Sequence, residues 1–316
     1  MVKPSAKKTG ELKGRAMKVI LVTGGSGFLG RHLIRKLLDR YPASEIRAIS
    51  RSENAIQRLL IGCHNRRLIP IVGDIRDVNS LKNAVINADV VVHLAAMKHI
   101  DLCEIHPIEA ITTNVIGTKN LLDSFSGHTF IGISTDKGVE TTTCYGATKL
   151  LMERLVLEWA KKEKRGKYMV IRAGNIFGSS GSVIERWKQE ISQNNKISIT
   201  DPEMTRFFIN VHIMVDFIIE KIEKGDNGNI YIPYQKTMKL ADLAKATIDL
   251  YGNKETKLNL CGPRVGEKLH ELLFTEGEGV ISHLDSNRSQ NSPRLRVDEI
   301  KAWLMEEGCL EKPGRS

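Results

Sequence analysis

No apolar run in this sequence is long enough to span a membrane, and no signal-peptide pattern opens it. The five cysteines are odd in number and lack C-x-x-C spacing, so neither a disulfide framework nor a zinc-binding cysteine pair is indicated. Internal repeats and low-complexity tracts are also absent. We therefore expect a cytoplasmic protein with no membrane partner, and we assign no metal site.

Acidic residues are the scarcer charged class, with 37 Asp and Glu against 47 Lys and Arg and a formal net charge of +10. Residues 1–16 carry five basic side chains against one Glu, and this composition predicts a disordered basic tail. The net positive charge of the rest of the chain is typical of an enzyme that binds anionic nucleotides, and it also fits nucleic-acid binding. Because no RNA- or DNA-reading motif accompanies the charge, we expect no nucleic-acid partner.

Short apolar segments alternate with helical patterns along the chain. Repeated β-α-β spacing predicts an α/β fold with a Rossmann-type, doubly wound parallel sheet. A chain of 316 residues also has room for a smaller C-terminal substrate lobe. We place the nucleotide-binding domain at 17–178 and the substrate-binding lobe at 179–316, with a return of 208–236 to the first domain as an alternative. The predicted strands are 17–23, 45–50, 68–74, 89–96, 129–134 and 168–172, and a further short strand is predicted over 229–233.

A glycine triplet follows the first predicted strand, where Gly24, Gly27 and Gly30 form G-x-x-G-x-x-G ahead of a helix predicted over 31–40. Glycines permit a tight turn, and they let the backbone N–H groups of the turn, including those of Phe28 and Leu29, approach a pyrophosphate at the helix N-terminus. The strand before the triplet and the helix after it favour a dinucleotide site over an ordinary Gly-rich loop.

The end of the second predicted strand indicates which dinucleotide binds. NAD enzymes usually place an acid there for the ribose 2′-hydroxyl, whereas this chain has Ser50 and Arg51. A guanidinium suits a 2′-phosphate, so we favour NADP over NAD. The alternative is that Arg51 only stacks on adenine or faces water. After the third strand, Asp74 and Ile75 are expected to flank the adenine.

The segment Thr135-Asp136-Lys137 follows the strand predicted over 129–134, and Tyr145 and Lys149 come next, on a helix predicted over 145–163. Positions i and i+4 share a helix face, and an adjacent ammonium lowers the pKa of a phenol. Tyr145 is therefore a candidate base. Asp136 and Lys137 supply a second acid/base set, and the alternative for them is a local ion pair.

Two arginines of the second lobe, Arg206 and Arg264, are candidates for clamping a diphosphate, since guanidinium forks match phosphate oxygens. The alternative is that both are surface or structural arginines.

Together these segments resemble an extended short-chain dehydrogenase/reductase from about residue 17 to about residue 273. Within that superfamily the chain is similar to the inverting UDP-N-acetylglucosamine 4,6-dehydratases of the pseudaminic acid type. Three of the segments that carry the resemblance are Ala95-Ala-Met-Lys-His99, Ser134-Thr-Asp-Lys137 and Tyr145-Gly-Ala-Thr-Lys149. The others are Gly174-Asn175, Ile199-Thr-Asp-Pro-Glu-Met-Thr-Arg-Phe207 and Gly266-Glu-Lys-Leu-His-Glu271. The chain departs from the family at Gly138 to Thr141, at Cys144, at Ala173 and at Phe208, which border the presumed sugar pocket.

The resemblance implies further site residues, a UDP-sugar substrate and a homo-oligomer. It places Ala95 and Ala96 at the cofactor, and Lys98 near both cofactor and sugar. The residues implied at the UDP-sugar are Asn175, Ser182, Val183, Thr205, Arg206, Arg264 and Glu267, together with Thr135 and Asp136.

The implied reaction starts with removal of the O4 proton by Tyr145, helped by Thr135, while C4 loses hydride to NADP⁺. Lys137 then removes the C5 proton, and Asp136 protonates the departing C6 hydroxyl. Hydride returns to C6, and C5 is reprotonated with inversion. Rival interpretations are a nucleotide-sugar 4-epimerase, a dehydratase that retains C5 or stops at a 5,6-ene, and a non-catalytic NADP-binding protein.

Overall fold

The computed structural model describes residues 17–163, 165–179, 181–264 and 266–306. The predicted basic tail over 1–16 lies outside the described residues. An eight-stranded, entirely parallel sheet forms the centre of the molecule, with the strand order β13-β10-β6-β5-β4-β1-β2-β3. Its strands are β1 Val19–Thr23, β2 Glu45–Ser50, β3 Leu68–Val72, β4 Val90–His93, β5 Thr129–Thr135, β6 Lys167–Ala173, β10 Ile230–Ile232 and β13 Ile281–Ser282.

Helices cover both faces of this sheet, which confirms the predicted Rossmann-type α/β fold. The helices up to the end of β6 are α1 Phe28–Arg40, α2 Glu53–Cys63, α3 Val78–Val85, α4 Ile100–Ile105, α5 Pro107–Ile111, α6 Gly117–Ser124 and α7 Cys144–Lys162. A π-helical turn at Thr112–Ile116 joins α5 to α6, and a 3₁₀ turn at Asp136–Gly138 follows β5.

The second lobe holds two small sheets around its own apolar core, which includes Trp187, Phe208 and Leu243. The strands of these two sheets are β7 Asn175–Ile176, β8 Lys196–Ile199, β9 Thr205–Ile209, β11 Lys236–Lys239 and β12 Lys257–Leu260. One sheet has the order β11-β9-β7, and the other pairs β12 with β8. The remaining helices are α8 Val183–Asn194, α9 Val211–Lys224, α10 Leu240–Tyr251 and α11 Val297–Glu306.

The chain crosses between the two parts more than once. β10 pairs with β6, and β13 pairs with β10, so two strands of the large sheet come from the C-terminal half. β10 lies within 208–236, the segment for which a return to the first domain was the alternative. The boundary at residue 178 stays a proposal. Among the described residues, no helix is both long and apolar enough to cross a membrane.

One predicted boundary differs for a clear steric reason. The glycine triplet predicts a helix from residue 31, but α1 begins at Phe28 and contains Gly30. A Cβ at Gly30 would lie 2.6 Å from the carbonyl oxygens of Gly24 and Gly25. The third glycine therefore packs the first helical turn against the loop instead of preceding the helix.

Candidate active site

A cleft of about 820 Å³ opens at the carboxyl ends of the central strands and reaches the second lobe. It brings together all but three of the predicted site residues. The cofactor-side residues lining it are Gly24, Gly27, Phe28, Leu29, Gly30, Ser50, Arg51, Ile75, Ala95, Ala96, Lys98, Tyr145 and Lys149. The substrate-side residues lining it are Thr135, Lys137, Asn175, Ser182, Val183, Arg206, Arg264 and Glu267. Asp74, Asp136 and Thr205 do not line the cleft.

The glycine turn has the shape that a pyrophosphate requires. Gly24 has a φ of +68°, and a Cβ there would lie 2.9 Å from the Ala95 backbone nitrogen. Gly27 is the N-cap of α1 and has no side chain to satisfy the first N–H groups of the helix. Those N–H groups remain available to an anion, so the residues present fit a dinucleotide.

The adenosine end of the cleft differs from the sequence prediction at one residue. The Ser26 hydroxyl donates to the Ser50 hydroxyl at 2.6 Å, and the exposed Arg51 follows. Asp74 was expected beside the adenine, but its carboxylate pairs with Arg76 at 2.7 Å. Burial alone would raise the pKa of Asp74, and the hydrogen bonds and charge of Arg76 outweigh it and lower the pKa. Ile75 reaches the cleft, and Asp74 instead fixes the loop that carries it.

At the end of β5, three side chains form a continuous hydrogen-bonded group. The Thr135 hydroxyl donates to Asp136 Oδ1 at 2.8 Å, and Lys137 Nζ donates to the same oxygen at 2.9 Å. Lys137 Nζ also lies 3.4 Å from Asn175 Oδ1. Asp136 is fully buried and does not line the cleft, whereas Thr135 and Lys137 do. In this arrangement Asp136 reaches the cleft through its hydrogen bonds to these two side chains.

Lys137 is a cation in this arrangement. Burial alone would lower its pKa, but the carboxylates of Asp136 and Glu271 outweigh burial and raise the pKa. An amine accepts a proton only when it is neutral, so a proton of this ammonium must leave before Lys137 acts as a base.

Tyr145 and Lys149 lie on α7, whose N-cap Thr143 accepts from the Gly146 N–H at 3.1 Å. Burial raises the pKa of Tyr145 to about 12, although the Lys137 charge and a hydrogen bond with Thr135 oppose this shift. Burial also lowers the pKa of Lys149 to about 8. The expectation that Lys149 lowers the pKa of Tyr145 is therefore wrong for this arrangement, because desolvation dominates and the effective nearby cation is Lys137.

The two arginines of the second lobe face the cleft in different ways. The guanidinium of Arg206 donates to the backbone oxygen of Lys268 at 2.8 Å and lies 3.4 Å from Glu267 Oε1. Arg264 is exposed and lies 3.2 Å from Asp101 Oδ2 on α4. Arg264 thus bridges the second lobe to the nucleotide-binding part across the mouth of the cleft.

Thr205 was expected at the substrate, but its hydroxyl is buried beside His270 Nδ1 at 2.8 Å and Ser289 Oγ at 2.7 Å. It fixes the strand that carries Arg206.

Ser182 and Lys98 also line the cleft. The Ser182 hydroxyl caps the N-terminus of α8. Burial lowers the pKa of Lys98, although the charge of Glu185 opposes the shift.

Sequence reasoning missed two buried residues that support the site. Asn114 lies in the π-helical turn, accepts from the Met97 N–H at 2.7 Å and donates to the Thr148 hydroxyl at 2.9 Å. It ties the loop that carries Lys98 to α7, which carries Tyr145. Nothing in the sequence around Asn114 distinguishes it. Glu271 is the second, and it ends a segment that the resemblance had singled out.

The glycine turn at the first strand-helix junction and the Tyr-x-x-x-Lys pair on α7 define an extended short-chain dehydrogenase/reductase. Residues 20–289 match the family described as "Polysaccharide biosynthesis protein", and the chain belongs to that family.

The chain is similar to proteins of several descriptions. A UDP-glucose 4-epimerase of Rickettsia bellii is 32% identical over 326 aligned residues, covering 91% of this chain and 95% of the relative. An uncharacterized membrane protein of Methanocaldococcus jannaschii is 36% identical over 272 residues, which is 83% of this chain and 81% of that protein.

Among solved structures, Pen from Bacillus thuringiensis superposes with a TM-score of 0.86 at 29% identity, covering 93% of this chain and 98% of Pen. A dTDP-glucose 4,6-dehydratase from Streptomyces venezuelae, solved with NAD bound, has a TM-score of 0.75 at 22% identity and shares the fold. The superposition covers 91% of this chain and 97% of the dehydratase chain.

Proposed function

We propose that this protein is an NADP-dependent 4,6-dehydratase that converts UDP-N-acetylglucosamine to a UDP-4-keto-6-deoxy sugar with inversion at C5, for surface-glycan or sialic-acid-like sugar synthesis. The observation that carries the proposal is the Asp136–Lys137 pair, 2.9 Å apart and next to Thr135. Oxidation at C4 needs a group that takes the O4 proton and a hydride acceptor. Loss of the C6 hydroxyl also needs an acid and a base near C5, and Lys137 lines the same cleft as Tyr145.

The hydrogen bonds suggest how the first proton moves. Thr135 bonds with the Tyr145 phenol and donates to Asp136 Oδ1 at 2.8 Å. As Tyr145 takes the O4 proton, its own proton passes to the Thr135 oxygen, and the Thr135 proton passes to Asp136. This relay removes the need for a free phenolate, which a pKa of about 12 makes scarce. A dinucleotide bound in the cleft supplies the hydride acceptor for C4 and the hydride donor for C6.

Burial of Asp136 changes its proposed role in the second step. Lys137 gives a proton of its ammonium to the departing C6 oxygen and takes the C5 proton. After hydride has returned to C6, Lys137 returns a proton to C5, and inversion requires that the planar C5 presents its other face to Lys137 before this step. Asp136, protonated during C4 oxidation, then restores the ammonium of Lys137 across the 2.9 Å hydrogen bond. Asp136 thus holds the O4 proton until Lys137 needs it, and the proton that leaves in the water comes from Lys137.

Binding of the UDP part is assigned to Arg206, Arg264, Glu267 and Asn175, with Arg264 exchanging Asp101 for the diphosphate. We propose NADP because the end of β2 carries Arg51 in the cleft and no acid. Chromatography of the nucleotide released from purified protein tests this assignment. Recovery of NAD alone would contradict it.

A UDP-sugar 4-epimerase is the second candidate, because the relative from Rickettsia bellii bears that description. An epimerase has no use for an acid/base pair at C5. Incubation with UDP-N-acetylglucosamine in deuterated water, followed by NMR, separates the two. We expect a 6-deoxy-4-keto product with deuterium at C5 and the L-arabino configuration. A product that keeps its 6-hydroxyl would indicate an epimerase, and a D-xylo product would indicate retention at C5.

A further inference from the structure

Arg186 is a cation of the second lobe that has no part in the proposed reaction. It lies on α8 and lines the same cleft as Tyr145. Although its side chain is 40% exposed, its Nε is buried and lies 3.5 Å from Glu190 Oε1. Within the described residues this nitrogen has no hydrogen-bond partner. A guanidinium carries five N–H donors, so donors of Arg186 remain for a ligand in the cleft.

Two side chains of α8 hold the helix against β8 next to Arg186. Trp187 Nε1 donates to the Ser198 carbonyl at 2.8 Å, and Glu190 Oε2 accepts from the Ser198 N–H at 2.7 Å. The carboxylate that pairs with Arg186 is thus fixed by the backbone of β8. Arg186 is therefore kept beside this strand, at the wall of the cleft.

Contacts between cleft residues show which way a bound nucleotide runs. Glu267 Oε1 lies 3.4 Å from Arg206 Nη2 and 3.4 Å from Thr200 Oγ1. Ile199, the last residue of β8, comes directly before Thr200, and both line the cleft. Because the sugar carbons must reach Lys137 at the end of β5, a diphosphate on Arg206 directs the base the other way. The base then passes Thr200 and lies between β8 and α8.

The part of the cleft between β8 and α8 suits the flat ring of a nucleobase. Its apolar lining residues are Val183 and Ile184 from α8, Ile199 from β8, Phe208 from β9 and Leu240 from α10. Small-molecule sites usually combine such apolar walls with a few polar groups that fix the orientation of the ligand. Arg186 adds a hydrogen-bond donor to this slot, so a base that fits it presents an acceptor there.

Pyrimidine bases differ at the edge farthest from the ribose. Uracil, like thymine, has the acceptor O4 at this edge, whereas cytosine has an amino donor. A guanidinium has donors and no acceptor, so it pairs with O4 and leaves a cytosine amino group without a partner. We infer that Arg186 donates a hydrogen bond to O4 of uracil and thereby selects UDP-sugars over CDP-sugars. The inference rests on the UDP-sugar part of the proposed function and adds a residue that reads the base.

The test measures the binding of UDP and of CDP by calorimetry, so it needs no turnover. It compares wild type with Arg186→Met, which keeps the length of the side chain and removes its donors, and with Arg186→Lys, which keeps the charge and loses the planar fork. Arg206→Met shows how loss of a phosphate ligand looks. Arg296→Met is the control, since its side chain is 89% exposed and does not line the cleft.

Wild type should bind UDP at least about 10-fold more tightly than CDP. In Arg186→Met we expect UDP binding to weaken by about 10- to 100-fold, the scale of one hydrogen bond to a charged group, with CDP binding unchanged or tighter. Arg186→Lys should keep part of the preference. Arg206→Met should weaken both nucleotides equally, and Arg296→Met neither. With UDP-N-acetylglucosamine, Arg186→Met should raise KM and leave kcat within a few-fold, because the base is remote from the reacting carbons.

Equal loss of UDP and CDP affinity in Arg186→Met would assign the guanidinium to the phosphates or the ribose and overturn the inference. Equal UDP and CDP affinities in wild type would overturn it too, as would an unchanged UDP affinity in Arg186→Met. A wild-type protein that binds neither nucleotide would overturn the UDP-sugar function together with the inference. A UDP preference that disappears in Arg186→Met supports the inference even if NMR shows no C5 exchange, in which case the dehydratase reaction alone would fail.

Discussion

At the scale of single residues, burial decides the chemistry of the site. The sequence predicted Thr135, Lys137, Tyr145 and Lys149 in one cleft, and the structure places them there. It did not predict that Tyr145 would be desolvated enough to raise its pKa to about 12. Helix spacing reports which face a residue occupies, whereas a pKa depends on burial and charges contributed by other elements.

The first residue-scale prediction concerns Thr135, whose hydroxyl links Tyr145 to Asp136. Thr135→Val keeps the side-chain shape and removes the relay, whereas Thr135→Ser keeps the hydroxyl. We expect C4 oxidation to slow by about 10² to 10⁴-fold in Thr135→Val and by less than about 10-fold in Thr135→Ser. Single-turnover NADPH absorbance measures the rate, and calorimetry of UDP binding checks that the cleft is intact. Similar rates in the two variants would show that Tyr145 loses its proton by another path.

At the scale of elements, the strand ends that meet in the cleft were predictable and the supports behind them were not. Apolar runs and glycine spacing indicated β1, β2, β4 and β5 because a buried parallel strand leaves a strong local pattern. The π-helical turn around Asn114 leaves no such pattern, since its residues are selected by contacts with the Met97 loop and α7. Such turns often occur at functional sites.

The element-scale prediction is that Asn114 holds α7 to the cofactor loop. Asn114→Leu has a similar volume and leaves the Met97 N–H and carbonyl, and the Thr148 hydroxyl, without their partner. We expect a loss of about 3 kcal/mol in the free energy of unfolding, because each buried unsatisfied group costs about 1–3 kcal/mol. Urea unfolding measures the loss. Asn120→Ala, which removes an exposed hydrogen bond on α6, is the control and should change stability by less than about 0.5 kcal/mol.

At the scale of the whole molecule, residues far apart in sequence complete the large sheet and the cleft. Local sequence patterns predicted β10 as a strand but did not predict β13. The positions of both strands beside β6 depend on long-range packing, which a local pattern does not report. The homo-oligomer implied by the resemblance stays a prediction.

A buried ionic group fastens the C-terminal segment to this sheet. Arg172 on β6 contacts Glu153 on α7 at 2.6 Å and Glu278 at 2.7 Å, and it donates to the Leu273 carbonyl at 2.8 Å. Arg172 and Glu153 are fully buried. Burial alone would raise the pKa of Glu278, but its hydrogen bonds and charge interaction with Arg172 outweigh burial and lower the pKa.

The whole-molecule prediction is that Glu278→Gln lowers the free energy of unfolding at pH 7 by about 3 kcal/mol, since removing one partner of a buried pair costs about 3–5 kcal/mol and Glu278 is partly exposed. The pH dependence has a definite sign. A lowered folded-state pKa gives stability that is present above the usual value of 4.5 and is lost as pH falls through the folded-state pKa. The difference in the free energy of unfolding between wild type and Glu278→Gln should therefore become smaller in acid; this difference is the gap to be measured.

Urea unfolding at pH 7 and below pH 4 measures this gap, with Glu276→Gln on the exposed part of the same segment as the control. A gap that stays constant with pH would mean that the glutamine disturbs packing and that the charge of Glu278 contributes little. A gap confined to neutral pH would show that one ion pair joins the C-terminal segment to β6.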